Sequence, residues 1–116
     1  MLAAVAALKK AKEAGITIVC FNTCVSEEGI AALAAAPGDK RVPVAVLLPG
    51  ATFFLGEGGY PPARRLIEAG ARVALSTDFN PGSSPTQNLW LMGTMGCSQL
   101  RMTADEVIRA ITIEAA

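Results

Sequence analysis

Histidine is absent from the 116 residues of the chain, and with it the side chain that most often ligates metals and moves protons near neutral pH. An excess of either charge is absent too. Ten Lys+Arg stand against ten Asp+Glu, which removes the electrostatic case for a nucleic acid or an anionic membrane as partner. A small neutral or zwitterionic molecule remains as the partner class. No apolar run reaches the roughly 20 residues that span a bilayer. At the amino terminus Lys9, Lys10 and Lys12 follow the apolar stretch instead of preceding it, the reverse of a signal peptide. Neither a targeting nor a membrane segment is expected. Cysteine is scarce: Cys20, Cys24 and Cys97 are odd in number and lack the paired short spacings of a zinc or disulfide framework. A reducing cytoplasm is then the simplest compartment, with Cys20-x-x-x-Cys24 as a metal clamp the minor alternative.

Apolar material is plentiful. With 52% hydrophobic and 17% charged residues the chain can build a core and is not disordered; its length suits one domain or a piece of one. Leu2, Val5, Ala6 and Leu8 fit a helix with an apolar face and a lysine face, stopped at Gly15. Residues 16–21 (ITIVCF) are β-branched and of strand length. Asn22 to Val25 read as a loop, and Ser26 followed by Glu27 and Glu28 reads as a helix start, with two acids near the positive end of the dipole. That helix runs to Pro37-Gly38, and Asp39, Lys40 and Arg41 form a solvated turn.

A second apolar strand is expected over residues 42–48, VPVAVLL, with Pro43 tolerated near its start. Residues 51–62, ATFFLGEGGYPP, are too rich in glycine for a helix and are expected to form an apolar loop, with Phe53 and Phe54 as lid or core residues. A helix then begins after Pro61 and Pro62 and ends at Gly70. Residues 88–97 predict a mostly apolar helix whose Met92 and Met95 pack in the core. Thr103 with Glu106 forms a near capping box for a last helix that Val107, Ile108, Ile111 and Ile113 continue as far as Ala116.

Residues 73–85, VALSTDFNPGSSP, hold the strongest functional signal. Val73, Ala74 and Leu75 make a short apolar run between turn signals, the pattern of a buried parallel strand. Asp78 follows at its C-terminal end, where α/β folds place their chemistry. The competing interpretation is that Asp78 merely caps a turn, ahead of Asn80-Pro81-Gly82, or the following helix. Strands alternating with helices at this spacing indicate parallel β/α units. Three strands alone would leave two open edges and bury their apolar runs poorly, so the unit reads as a fragment of something larger.

The run ALSTDFNPGSSP, followed by a methionine-rich helix with Cys97 and then RMTADEVIRAITIEAA, resembles the C-terminal part of the imidazolonepropionases, metal-dependent amidohydrolases of histidine breakdown. SEEGIAALAAA, VAVLLPGATFFLGE and YPPARRLIEAGARVAL match that family in the same order. The joint presence of LLPGATFFL and TDFNPGSSP at the ends of consecutive strands is the most specific piece. The resemblance covers residues 26–116 and implies a partial (β/α)₈ TIM barrel, its last three β/α units, with the site at the strands' C-terminal ends. It implies opening of the C–N amide bond of 4-imidazolone-5-propanoate to N-formimidoyl-L-glutamate by a metal-bound hydroxide, the metal being Zn²⁺ or Fe³⁺. Asp78 matches the family's strand-eight aspartate, a metal ligand that helps take the proton from the attacking water. Asn80, Gly82 and Ser83 match positions that contact substrate or product. Chemistry agrees: metal-bound water has its pKa lowered towards about 7, a carboxylate can shuttle its proton, Asn80 offers a donor and an acceptor, and Gly82 admits close backbone approach.

The departures also carry expectations. The family's other metal ligands are histidines. Where it carries an Asp-His-Leu-Glu-like stretch, this chain has Cys20-Phe21-Asn22-Thr23, which puts Phe21 near the histidine position. Residues 1–25 are therefore expected to match the family poorly, through divergence or a shifted reading frame. The isolated chain is expected to lack activity. Two alternatives stand beside this: an amidohydrolase of another cyclic amide, and a non-catalytic partial barrel that self-associates as a homo-oligomer.

Overall fold

The computed structural model describes residues 6–7, 10–11, 13–21, 24–34 and 43–116. In chain order they form β1 (Ile18–Phe21), α1 (Glu27–Leu33), β2 (Val44–Leu47), α2 (Pro49–Leu55), α3 (Ala63–Glu68), β3 (Val73–Leu75), α4 (Leu89–Ser98) and α5 (Ala104–Ile111). The strand and helix alternation of an α/β chain is present. Of the amino-terminal helix, residues 6, 7, 10, 11 and 13 are helical, and Gly15 turns the chain at φ 71. The expectations for Leu2, Val5, Leu8, Lys9 and Lys12, for the loop at Asn22 and Thr23, and for the turn at residues 37–41 fall outside the described residues.

The three strands are parallel, in the order β1-β2-β3. Register places Val19, Ala45 and Val73 in one row and Phe21, Leu47 and Leu75 in another. Side chains alternate across a strand, so these two rows share a face. That face joins Ile30 and Leu33 of α1, Leu66 of α3, Met92 and Met95 of α4 and Val107 of α5 in the core. On the opposite face Ile18, Cys20, Val44, Val46 and Ala74 line an open cavity of about 870 Å³ that the C-terminal residues Ile113 to Ala116 also border.

The expectation of poor burial holds at β1 and is corrected at β2 and β3. Val44, Ala45, Leu47, Val73, Ala74 and Leu75 are all buried, because β2 is flanked on both sides and β3 lies under α4 and α5. The bare strand is β1, where Ile18 stays 56% exposed. β1 and β2 are shorter than their apolar runs, since Ile16, Thr17 and Leu48 lie outside the strands, whereas β3 is the expected run Val73–Leu75 itself.

A second correction concerns residues 51–62, read from composition as a loop. Their first five residues belong to α2. Pro49 stands in the first turn, where its missing N–H costs nothing, and Pro49, Gly50, Ala51 and Thr52 are buried together. A Cβ on Gly50 would lie 2.9 Å from Met92 Sδ and from Ser84 Oγ, so only glycine lets α2 approach α4 this closely. Packing overrides the low helix propensity of glycine. The helix closes at Gly56, left-handed at φ 66. Phe53 and Phe54 fall on the opposite side and are 65% and 52% exposed, so neither is a core residue.

The end of α5 differs from expectation as well. The helix stops at Ile111 and Ile113 lies in a following turn. Thr112 Oγ donates to the Ile108 carbonyl at 2.5 Å, the acceptor that its own N–H would use in a continuing helix, and that N–H turns to Arg109 instead.

Helix starts follow the sequence closely. Ser26 accepts from the Gly29 N–H, Asn88 from Leu91, and Thr103 forms the capping box with Glu106. Glu106 also accepts hydrogen bonds from the two terminal guanidinium nitrogens of Arg64, at 2.7 and 2.9 Å, tying α5 to α3. The Arg64 guanidinium, followed by the Thr103 backbone N–H, holds the Glu106 carboxyl down at about 2 from an ordinary 4.5. A carboxyl depressed in the folded state contributes stability above its unfolded value and loses it as pH falls through the folded one. The urea midpoint of the chain should therefore drop between about pH 4.5 and pH 2, and Glu106→Gln should flatten that limb while lowering the neutral-pH midpoint.

Candidate functional site

The three strands end level at Phe21, Leu47 and Leu75, and the loop after β3 carries every residue singled out from the sequence. The Ser76 N–H donates to the Leu47 carbonyl at 3.1 Å, so hydrogen bonding to β2 extends one residue past β3. Two residues later Asp78 takes φ 47. A left-handed backbone costs a non-glycine residue about 1–2 kcal/mol, least for Asp and Asn. The turn is held by local bonds: the Asp78 N–H donates to Ser76 Oγ at 3.3 Å, and its carbonyl accepts from Asn80 Nδ2 at 2.7 Å. Its carboxylate is exposed.

Asn80 is the hub of the loop rim. Its Oδ1 accepts from the Gly82 N–H at 2.9 Å and from the Ser83 N–H at 2.8 Å, and its Nδ2 donates to Ser83 Oγ at 2.9 Å. This is the side-chain mimicry of a turn for which Asn is favoured. Asp78, Asn80, Gly82 and Ser83 are thus brought together in one loop. The donor and acceptor of Asn80, and the N–H of Gly82, are engaged within it.

Beneath the rim lies Ser84, passed over in the sequence. It is only 1% exposed, and its Oγ donates to the Thr77 carbonyl at 2.5 Å. Ser83 and Ser84 are adjacent in GSSP, and nothing in that tetrapeptide tells which of the two points inward. The nearest signal was Gly50, whose missing side chain makes room for Ser84 Oγ.

Among the described residues no group of three or more His, Cys, Asp or Glu side chains could hold a metal ion. Asp78 alone is one donor where catalytic zinc takes about three from protein, so the residues present do not by themselves fit zinc or iron. Cys20 and Cys24 are free and exposed. Phe21, near the position where the resemblance implies a histidine, ends β1 half-buried beside Leu47 and offers no ligand atom. No described helix is long and apolar enough to cross a membrane.

No protein-family model matches the chain. Individual proteins do. The chain is 53% identical over 91 residues to an imidazolonepropionase of Bacillus velezensis, covering 78% of this chain and 20% of that protein. It is 48% identical over 92 residues to one from Treponema denticola, covering 79% and 21%. With an imidazolonepropionase of Streptococcus sanguinis it shares 42% identity over 106 residues, 91% of this chain and 24% of that protein, an alignment long enough to include part of the segment before Ser26. The chain therefore spans about a fifth to a quarter of the length of these curated relatives.

Removing the hub should loosen the rim selectively. Asn80→Ala is expected to speed amide exchange at Gly82 and Ser83 roughly tenfold and to lower stability by about 1–2 kcal/mol. Exchange measured by NMR, together with the urea midpoint, checks both.

Proposed function

We propose that this chain, homologous to the imidazolonepropionases over about a fifth of their length, is the part of such a hydrolase that carries the strand-end carboxylate Asp78. The observation that supports this most directly is the sequence identity combined with the setting of Asp78, an exposed carboxylate in a hydrogen-bonded loop at the C-terminal end of a buried parallel strand. In the complete protein β1, β2 and β3 would be the last three strands of a (β/α)₈ barrel, whose chemistry gathers at that end.

The reaction adds water across the amide C–N bond of 4-imidazolone-5-propanoate. Oxygen bonds to the carbonyl carbon, the C–N bond breaks, and the product is N-formimidoyl-L-glutamate. Asp78 accepts the proton of the attacking water and can return it to the departing ring nitrogen. The rim of Asn80, Gly82 and Ser83 lies beside it and forms one wall for the substrate. Zinc or iron would need donors from outside these residues, and Asp78 is what this chain offers. The three free cysteines suit a reducing compartment such as the cytoplasm.

A self-associating partial barrel is the second reading. It is favoured by β1, whose Ile18 is exposed beside the open cavity and whose outer edge has no strand partner among the described residues.

Two experiments test these readings. After loading with zinc and dialysis, the purified chain should retain far less than one zinc per chain and should not consume imidazolone propionate; stoichiometric zinc or turnover would overturn the view that it is one part of a site. Light scattering should give a mass above the 12.0 kDa monomer, and a monodisperse monomer at high concentration would sink the self-association reading.

A further inference from the structure

We infer that Ser84 is the positioning residue of this site, setting the backbone from which the Asp78 carboxylate projects. The inference rests on the proposed role of Asp78 and assigns its geometry to a buried residue whose hydroxyl is engaged by the Thr77 carbonyl.

Ser84 grips the chain on both sides of Asp78. Its Oγ donates to the Thr77 carbonyl at 2.5 Å, immediately before Asp78. Its N–H donates to the Asn80 carbonyl at 3.2 Å, and its own carbonyl accepts from the Asn80 N–H at 3.1 Å. Three polar groups of one residue therefore anchor positions 77 and 80. Asp78, held between them, adopts φ 47, a conformation that the surrounding structure must over-determine to persist.

Ser84 is itself fixed from below. It is 1% exposed, Met92 is fully buried, and the Cβ position of Gly50 lies 2.9 Å from both Ser84 Oγ and Met92 Sδ. The rim bonds of Asn80 act locally, within residues 78–83. Ser84 alone among the loop's polar residues is buried. It is thus the group that refers the position of Asp78 to the helices α2 and α4. Its hydroxyl is the group that matters: alanine would leave the Thr77 carbonyl without this donor.

NMR of the full chain carrying Ser84→Ala tests this. The core methyl resonances of Leu47, Leu66 and Val107 should be retained. The Asp78 amide shift and its N–H to Hα coupling should move, and amide exchange at Asn80 and Ser84 should quicken about tenfold. A retained core with unchanged Asp78 coupling and unchanged exchange would overturn the inference. Should Ser84→Ala fail to fold, the unmodified chain decides: a slowly exchanging Ser84 hydroxyl proton coupled to the Thr77 carbonyl supports it, and a freely exchanging one refutes it. Neither readout uses metal or substrate. Failure of the hydrolase reading is a separate outcome, seen when Asp78→Asn in a longer protein containing this segment leaves turnover intact.

Discussion

Burial of one face of the parallel sheet is the constraint on which the rest of the molecule depends. Ala45, Leu47, Val73 and Leu75 contribute that face, and Leu33, Leu66, Met92 and Val107 close over it. A slip of one residue in either strand pairing would turn this row outward and expose it, so the register is specified by core packing. From the register follows the level ending of the strands at Phe21, Leu47 and Leu75. From that ending follows the place where the loop bearing Asp78 begins.

The loop itself joins an immobilised backbone to an exposed acid. Asn80 satisfies the rim and Ser84 ties the floor to the helices, so the polar groups of residues 76–84 are largely spent on their own conformation. The Asp78 carboxylate stands outside this economy. The backbone that carries this acid is held by hydrogen bonds within residues 76–84. The same structure shows what one loop cannot do alone, because a single carboxylate supplies one of the several donors that a catalytic metal takes from protein.

Local chemistry explains where sequence reading succeeded. Ser26 and Thr103 cap helices because their short polar side chains reach N–H groups three residues on, an interaction contained in a few neighbouring positions. Val73 to Leu75 formed a strand where an apolar run met turn residues at both ends. The likeness to the imidazolonepropionases was readable for the same reason, since its motifs are contiguous. Reading failed at α2, at Ser84 and at the end of α5. Glycine in GATFFLG argued for a loop until packing against Met92 required a residue without a side chain at position 50. Thr112 carried a hydroxyl able to take the Ile108 carbonyl, and its sequence neighbours did not reveal that it would.

By itself, the sequence determined the alternation of strands and helices, the capped starts at Ser26 and Thr103, and the family likeness. All of these rest on interactions between residues near one another in the chain. Tertiary structure alone decided which sheet face is covered and that α2 is helical. It also decided that Ser84, rather than Ser83, points inward beneath the acid. Each depends on atoms brought together from distant segments: Gly50, Ser84 and Met92 meet only after β2, the loop and α4 have packed. Excluded volume at that meeting point has no counterpart in the linear order of the residues.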